Sequence, residues 1–187
     1  MQLTQKVHQQ LAEQLTAGDL VIDATAGNGH DTQYLAEIVG PQGQVIAIDI
    51  QQAAIDSTRA KLEHAQLSQR VHLIQGDHAA QLQALSQQHS GQVASIIFNL
   101  GYLPGSDKRV QTQSTSTAKA LTASLELLAP GALLSVTAYR GHPGGMEEAQ
   151  VVADWMQTQQ SAGHAVEYHE PASKNTPPVL WLLWKKA

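Results

Sequence analysis

The sequence predicts an α/β fold: a doubly wound, mostly parallel sheet of seven strands, helices on both faces and an antiparallel strand at one edge. Three observations carry that prediction. Short apolar, β-branched runs alternate with helix-length segments. A glycine-rich turn directly follows the first of those runs. The last two runs are joined by a loop with no crossover helix, so they should pair antiparallel.

Taken in order, Leu3, Val7, Leu11 and Leu15 recur at the spacing of one helical face, and Gly18 supplies a stop. Residues 20–24 (Leu-Val-Ile-Asp-Ala) read as a buried strand, followed by the turn and a helix through Tyr34, Leu35 and Ile38. Residues 45–48 form the second strand and 52–67 a helix with Ile55 and Leu62 inward. Strands at 71–74 and 93–98 flank a shorter helix around Leu82 and Leu85. A helix over 117–128 should end before Pro130-Gly131, with strand five at 132–137. Val152, Trp155 and Met156 mark a helix over 146–160, and residues 165–169 and 179–184 are the final strands. No repeat, long linker or composition break interrupts this pattern, so one domain over 1–187 is expected.

Composition narrows the function classes. With 187 residues, 42% hydrophobic and 14% charged, the chain can bury an ordinary core. The absence of cysteine excludes disulfides, a thiolate nucleophile, zinc ribbons and iron–sulfur clusters. No cluster of His and carboxylates stands at ligand spacing, so no metal is expected. The first residues open a polar helical pattern unlike a secretion leader, and Glu126, Pro130 and Gly131 interrupt the most apolar stretch; a cytoplasmic protein without a membrane span is expected. Sixteen acidic against eleven basic side chains give a net charge of -5, so any nucleic-acid contact must be local.

The sharpest local signal is Asp23-Ala24-Thr25-Ala26-Gly27-Asn28-Gly29-His30-Asp31 at the strand-to-helix turn. Ligands of open α/β sheets bind beyond the carboxyl ends of the strands, where glycines let backbone approach closely. Asp49, twenty residues after Gly29, ends the second strand, the place from which a carboxylate accepts ribose hydroxyls. Thr32 replaces the third glycine of the dinucleotide pattern, and a carboxylate at Asp23 would repel a pyrophosphate but suits the amino group of a zwitterion. Together these point to S-adenosylmethionine. The expected cofactor contacts are Asp23, Thr25, Ala26, Gly27, Asn28, Gly29, Asp31, Thr32, Asp49, Ile50, Gln51, Gly76, Asp77, His78, Asn99 and Gly101. Asp77 is placed to accept the adenine amine, with His78 beside the ring.

Asn99-Leu100-Gly101-Tyr102-Leu103-Pro104-Gly105 follows the fourth strand, at the methyl-donor end of the cleft. An amide carbonyl there can hold an amine by its N–H groups and aim its lone pair at a methyl group. Tyr102 can stack on a base.

From residue 23 to residue 178 the chain resembles the small class I methyltransferases long labelled rRNA methylases and now linked to wobble-uridine modification in tRNA. The resemblance rests on the two motifs above together with Lys108, Tyr139-Arg140-Gly141-His142, Gly144-Gly145, Asn175 and Pro177-Pro178. It implies a Rossmann-like class I methyltransferase sheet. It also implies methyl transfer from S-adenosylmethionine to 5-aminomethyl(-2-thio)uridine in the tRNA anticodon, giving the 5-methylaminomethyl product. Tyr102, Pro104, Gly105, Lys108, Tyr139, Arg140, His142, Gly144, Asn175 and Pro177 are then expected against the substrate, with Asn99, Tyr102 and His142 catalytic. A primary amine must lose a proton before it attacks, and His142 and bulk water are the two acceptors for it.

Three rivals stay open at this stage: a methyltransferase of rRNA or a small metabolite, a nicotinamide-dependent oxidoreductase, and a non-catalytic nucleoside-binding module. Lys108, Arg109, Lys119, Arg140 and Lys174 are the cations expected at the cleft mouth, and a homodimer would widen that surface.

Overall fold

The computed structural model describes residues 2–101, 114–172 and 176–187. Tyr102, Pro104, Gly105, Lys108 and Asn175, with Arg109 and Lys174, lie outside the described residues. The elements run α1 (Leu3–Gln14), β1 (Leu20–Asp23), α2 (His30–Val39), β2 (Gln44–Asp49), α3 (Gln52–His64), β3 (Val71–Gln75) and α4 (His78–His89). They continue with β4 (Val93–Leu100), α5 (Ser114–Leu127), β5 (Leu128–Ala138), α6 (Gly145–Ser161), β6 (Ala165–His169) and β7 (Val179–Trp184).

The seven strands form one mixed sheet in the order β3-β2-β1-β4-β5-β7-β6. Strands β1 to β5 pair parallel, while β7 runs antiparallel to both β5 and β6. The expected antiparallel pair therefore occupies that edge, with β7 inserted between β5 and β6. The chain order reverses between β1 and β4, and their carboxyl ends open the crevice in which ligands of such sheets bind.

Successive strand residues point to opposite faces, which divides the core in two. Ile22, Ile46, Ile96, Phe98 and Val136 pack with Leu82 of α4, Leu121 of α5 and Val152 and Met156 of α6. Val21, Val45, Ile97 and Leu182 pack with Val7 and Leu11 of α1, Leu35 and Val39 of α2 and Leu62 of α3.

Several ends shift by a few residues from the sequence expectation, and two of these shifts have a visible cause. Helix α3 stops at His64, because Gln66 turns to a positive φ of 57° and the Leu67 N–H closes on the Leu62 carbonyl at 2.9 Å; a 3-10 turn at Ser68–Arg70 follows. Pro130-Gly131 does not separate helix from strand. It sits within β5 where the register slips, Leu128 pairing with Val93 and Leu133 with Ser95, and the Gly131 N–H donates to the Lys185 carbonyl at 2.7 Å. Among the described residues no helix is long and apolar enough to cross a membrane.

Candidate active site

The glycine loop is braced from below. Asp23 ends β1 with no exposed surface; one carboxylate oxygen accepts the Thr32 hydroxyl at 2.6 Å and the other the Thr25 N–H at 3.2 Å. Burial, reinforced by Asp31 and only partly offset by those hydrogen bonds, pushes the Asp23 carboxyl up to about 7. Asp23 and Thr32, both expected against the cofactor, are thus struts that fasten the loop to α2 rather than groups open to the cleft.

The loop then turns. Gly29 caps α2 in the left-handed region at φ 75°, and a Cβ there would lie 2.9 Å from the Thr58 Cα, so only glycine fits. The Thr58 hydroxyl holds the Gly27 carbonyl at 3.1 Å and the Ala26 N–H donates to the Ile48 carbonyl at 2.9 Å. Asp49 closes this half: its carboxylate accepts the Gly27 and Gln51 N–H groups, each at 2.9 Å. A carboxylate offers about four lone-pair sites, so both oxygens keep capacity for the hydroxyls of a ribose. Ile50 beside it is 55% exposed, a bare apolar shelf at the end of β2.

At the end of β3, Asp77 is the N-cap of α4, accepting the Ala80 N–H at 3.0 Å and the Ser116 hydroxyl at 2.6 Å. Burial raises its pKa, but the Ser116 and backbone hydrogen bonds together with His78 outweigh that and hold the carboxyl below its ordinary range. Like Asp49, it keeps acceptor capacity on both oxygens beside the cap, where an adenine amine is expected. His78 is buried against the Phe98 ring edge, with burial lowering its pKa, and its Nε2 has no hydrogen-bond partner among the described residues.

The other half of the cleft centres on Asn99, near the end of β4. Its backbone N–H donates to the Thr25 hydroxyl at 2.7 Å and its Nδ2 to Asp31 at 2.8 Å. Asp31, expected against the cofactor, is shared between Asn99 and His8, whose Nε2 stands 2.8 Å from its other oxygen. His8 and its helix were not legible as site residues; the available signal was a histidine beside the Val7–Leu11 stripe. A cavity of about 450 Å³ adjoins this point, lined by Gln2, Leu3, Thr4, Thr137, Tyr139, Pro171 and Pro178. Thr4 and Thr137 also border a much smaller cavity reaching Asp31 and Asn99.

Tyr139 packs over Gly101, where an added Cβ would come within 3.2 Å of it, and is 43% exposed. Burial, then Asp31, raises its phenol pKa. Arg140 points elsewhere: its Nε donates to the Pro177 carbonyl at 2.9 Å and its guanidinium pairs with Glu170, tying down the β6–β7 loop. Pro177 accordingly contributes a carbonyl to that clamp. Gly144 caps α6 at φ 80°, and His142 places Nδ1 3.0 Å from the Pro143 carbonyl. Lys119 is exposed on α5.

Comparison with known proteins agrees with this architecture. Residues 45–184 match the family model described as "Putative rRNA methylase", and residues 2–87 match that of protein-L-isoaspartate(D-aspartate) O-methyltransferase. A chloroplastic tRNA (mnm(5)s(2)U34)-methyltransferase of Arabidopsis thaliana is 40% identical over 157 residues, covering 80% of this chain and 57% of that protein. A demethylmenaquinone methyltransferase of Lactobacillus johnsonii is 36% identical over 49% of this chain and 36% of its own length. The chain thus spans about half the length, or less, of these curated relatives. Among solved structures, a protein described as a putative rRNA-methylase of Clostridium thermocellum is 34% identical with a TM-score of 0.90, over 97% of this chain and 96% of that one. A Streptococcus mutans protein crystallised with SAH is 32% identical with a TM-score of 0.86, over 99% and 98%.

Proposed function

The chain belongs to this rRNA methylase family of methyltransferases, and from that premise we propose that it uses S-adenosylmethionine to methylate the amine of 5-aminomethyl(-2-thio)uridine at the tRNA wobble position. The observation that carries N-methyl transfer is Asn99, fixed at backbone and side chain and lining a small cavity that shares Thr4 and Thr137 with the larger one. The choice of nucleoside follows the likeness to the plant tRNA enzyme.

The residues present fit the cofactor. Asp49 keeps acceptor capacity, Gly27 and Asn28 are half-buried beside it, Ile50 offers an apolar face for a purine, and the His78 Nε2 is a buried nitrogen in want of a partner. Bound S-adenosylmethionine supplies an electrophilic methyl group on its sulfonium. Asn99 Oδ1 accepts an N–H of the substrate amine, so the nitrogen lone pair is left to point at that methyl. Tyr139 and Pro178 wall the cavity that admits the base. The methyl would pass to the amine by direct displacement, the nitrogen–carbon bond forming as the sulfur–carbon bond breaks. The ammonium proton leaves beforehand, to His142 or to solvent.

The experiment is nucleoside mass spectrometry on tRNA from cells lacking the protein, before and after purified protein and S-adenosylmethionine are added. The expected result is accumulated 5-aminomethyl(-2-thio)uridine that converts to the 5-methylaminomethyl form. Wobble uridine identical in all samples overturns the tRNA assignment and directs the search to rRNA or metabolites.

A further inference from the structure

Building on the methyl-transfer reading above, we propose that His8 is a positioning residue. Through Asp31 it locks the Asn99 amide in the orientation that presents Oδ1 to the methyl acceptor. The Asp31 carboxylate accepts from His8 Nε2 on one oxygen and from Asn99 Nδ2 on the other, both at 2.8 Å. An ionised carboxylate has no proton to give, so the amide meets it only through Nδ2 and the imidazole only through an N–H. Oδ1 is then the end of the amide turned away from Asp31.

His8 is itself held twice by Tyr34. The two rings stack at 3.8 Å with 10° between their planes, and the Tyr34 hydroxyl donates to the His8 carbonyl at 2.9 Å. The lock therefore joins α1, α2 and β4, three elements whose relative placement the core already fixes.

Orientation decides the chemistry. Oδ1 takes an amine N–H and leaves the lone pair free to attack, whereas a turned amide donates Nδ2–H to the same nitrogen and occupies that lone pair. Without His8, Asp31 keeps one side-chain tether in place of two and its rotamer is less constrained, so the amide it orients wanders as well.

The test compares the full-length chain with His8→Ala and His8→Gln, the glutamine amide offering an N–H to Asp31 in place of Nε2. Turnover is measured on tRNA from cells lacking the protein and SAH affinity by calorimetry. In the SAH-bound protein without RNA, NMR follows exchange of the Asn99 side-chain amide protons. In His8→Ala, kcat is expected to fall about tenfold while SAH affinity and the KM for tRNA stay within about twofold. Asn99 amide exchange should quicken, and His8→Gln should restore most of both. Unchanged kcat and exchange in His8→Ala, loss of SAH affinity in step with kcat, or no rescue by glutamine each overturn the lock. A wild-type chain inactive on tRNA removes the substrate assignment instead, while the exchange comparison still judges the lock.

Discussion

The two halves of the cleft are built differently. The half beyond β1 and β2 is made from a short stretch of chain, residues 23–32, tied within itself through Asp23 and braced from outside by Asp49, by the Ile48 carbonyl and by Thr58 of α3. The half beyond β4 and β5 is assembled from distant pieces: Asn99 meets Thr25 and Asp31 across 74 and 68 residues, and Arg140 reaches Pro177 across 37. A compact loop braced on the adjoining strands and α3 suits a fixed cofactor, whereas contacts between remote segments can change with the substrate.

Four substitutions bear on that division. The largest effect is expected from Asn99→Ala, which should lower kcat about a hundredfold or more while SAH affinity is retained; calorimetry showing lost SAH binding instead would merge the two halves. Asp49→Ala should weaken SAH binding by about 2–3 kcal/mol, since a carboxylate accepting two N–H groups disappears; SAH titration reads it directly, and full affinity removes Asp49 from the cofactor half. Asp23→Asn tests the brace. The folded chain keeps a proton on Asp23 up to about 7 that the unfolded chain loses near 4, so this group's burial costs stability increasingly as pH rises through that window. Denaturant unfolding at pH 4.5 and 7 should therefore show a smaller fall with pH in Asp23→Asn, by on the order of a few kcal/mol. The smallest effect is expected from Arg140→Ala: a rise of about threefold to tenfold in KM for tRNA with SAH affinity unchanged, because the β6–β7 loop loses its clamp.

The same contrast explains what the sequence makes legible. The alternation of strands and helices, the glycine turn and Asp49 are local patterns, and the structure places them where that reading expects. The antiparallel end of the sheet is legible because residues 170–178 leave no room for a crossover helix. Pro130-Gly131 reads as a helix-to-strand turn, yet it is a slip in β5 register held by the Lys185 carbonyl 54 positions along the chain, a contact no local pattern carries. Arg140 is visible as a charge, but its partners Glu170 and Pro177 are not. His8 shows as a helical residue next to a buried stripe; helix periodicity assigns it a face and leaves open which carboxylate lies opposite.

The insertion of β7 between β5 and β6 sets an order of assembly. Among the described residues strand β6 bonds only to β7, and β5 has an open edge until β7 arrives, so residues 165–169 cannot join the sheet when they are made. A nascent chain that stalls after β6 leaves one edge of β5 and both edges of β6 unpaired at once, the condition under which chains pair with one another. Clamping of the β6–β7 loop by Arg140 belongs to the same late stage, so that wall of the cleft is completed only once β7 is in place.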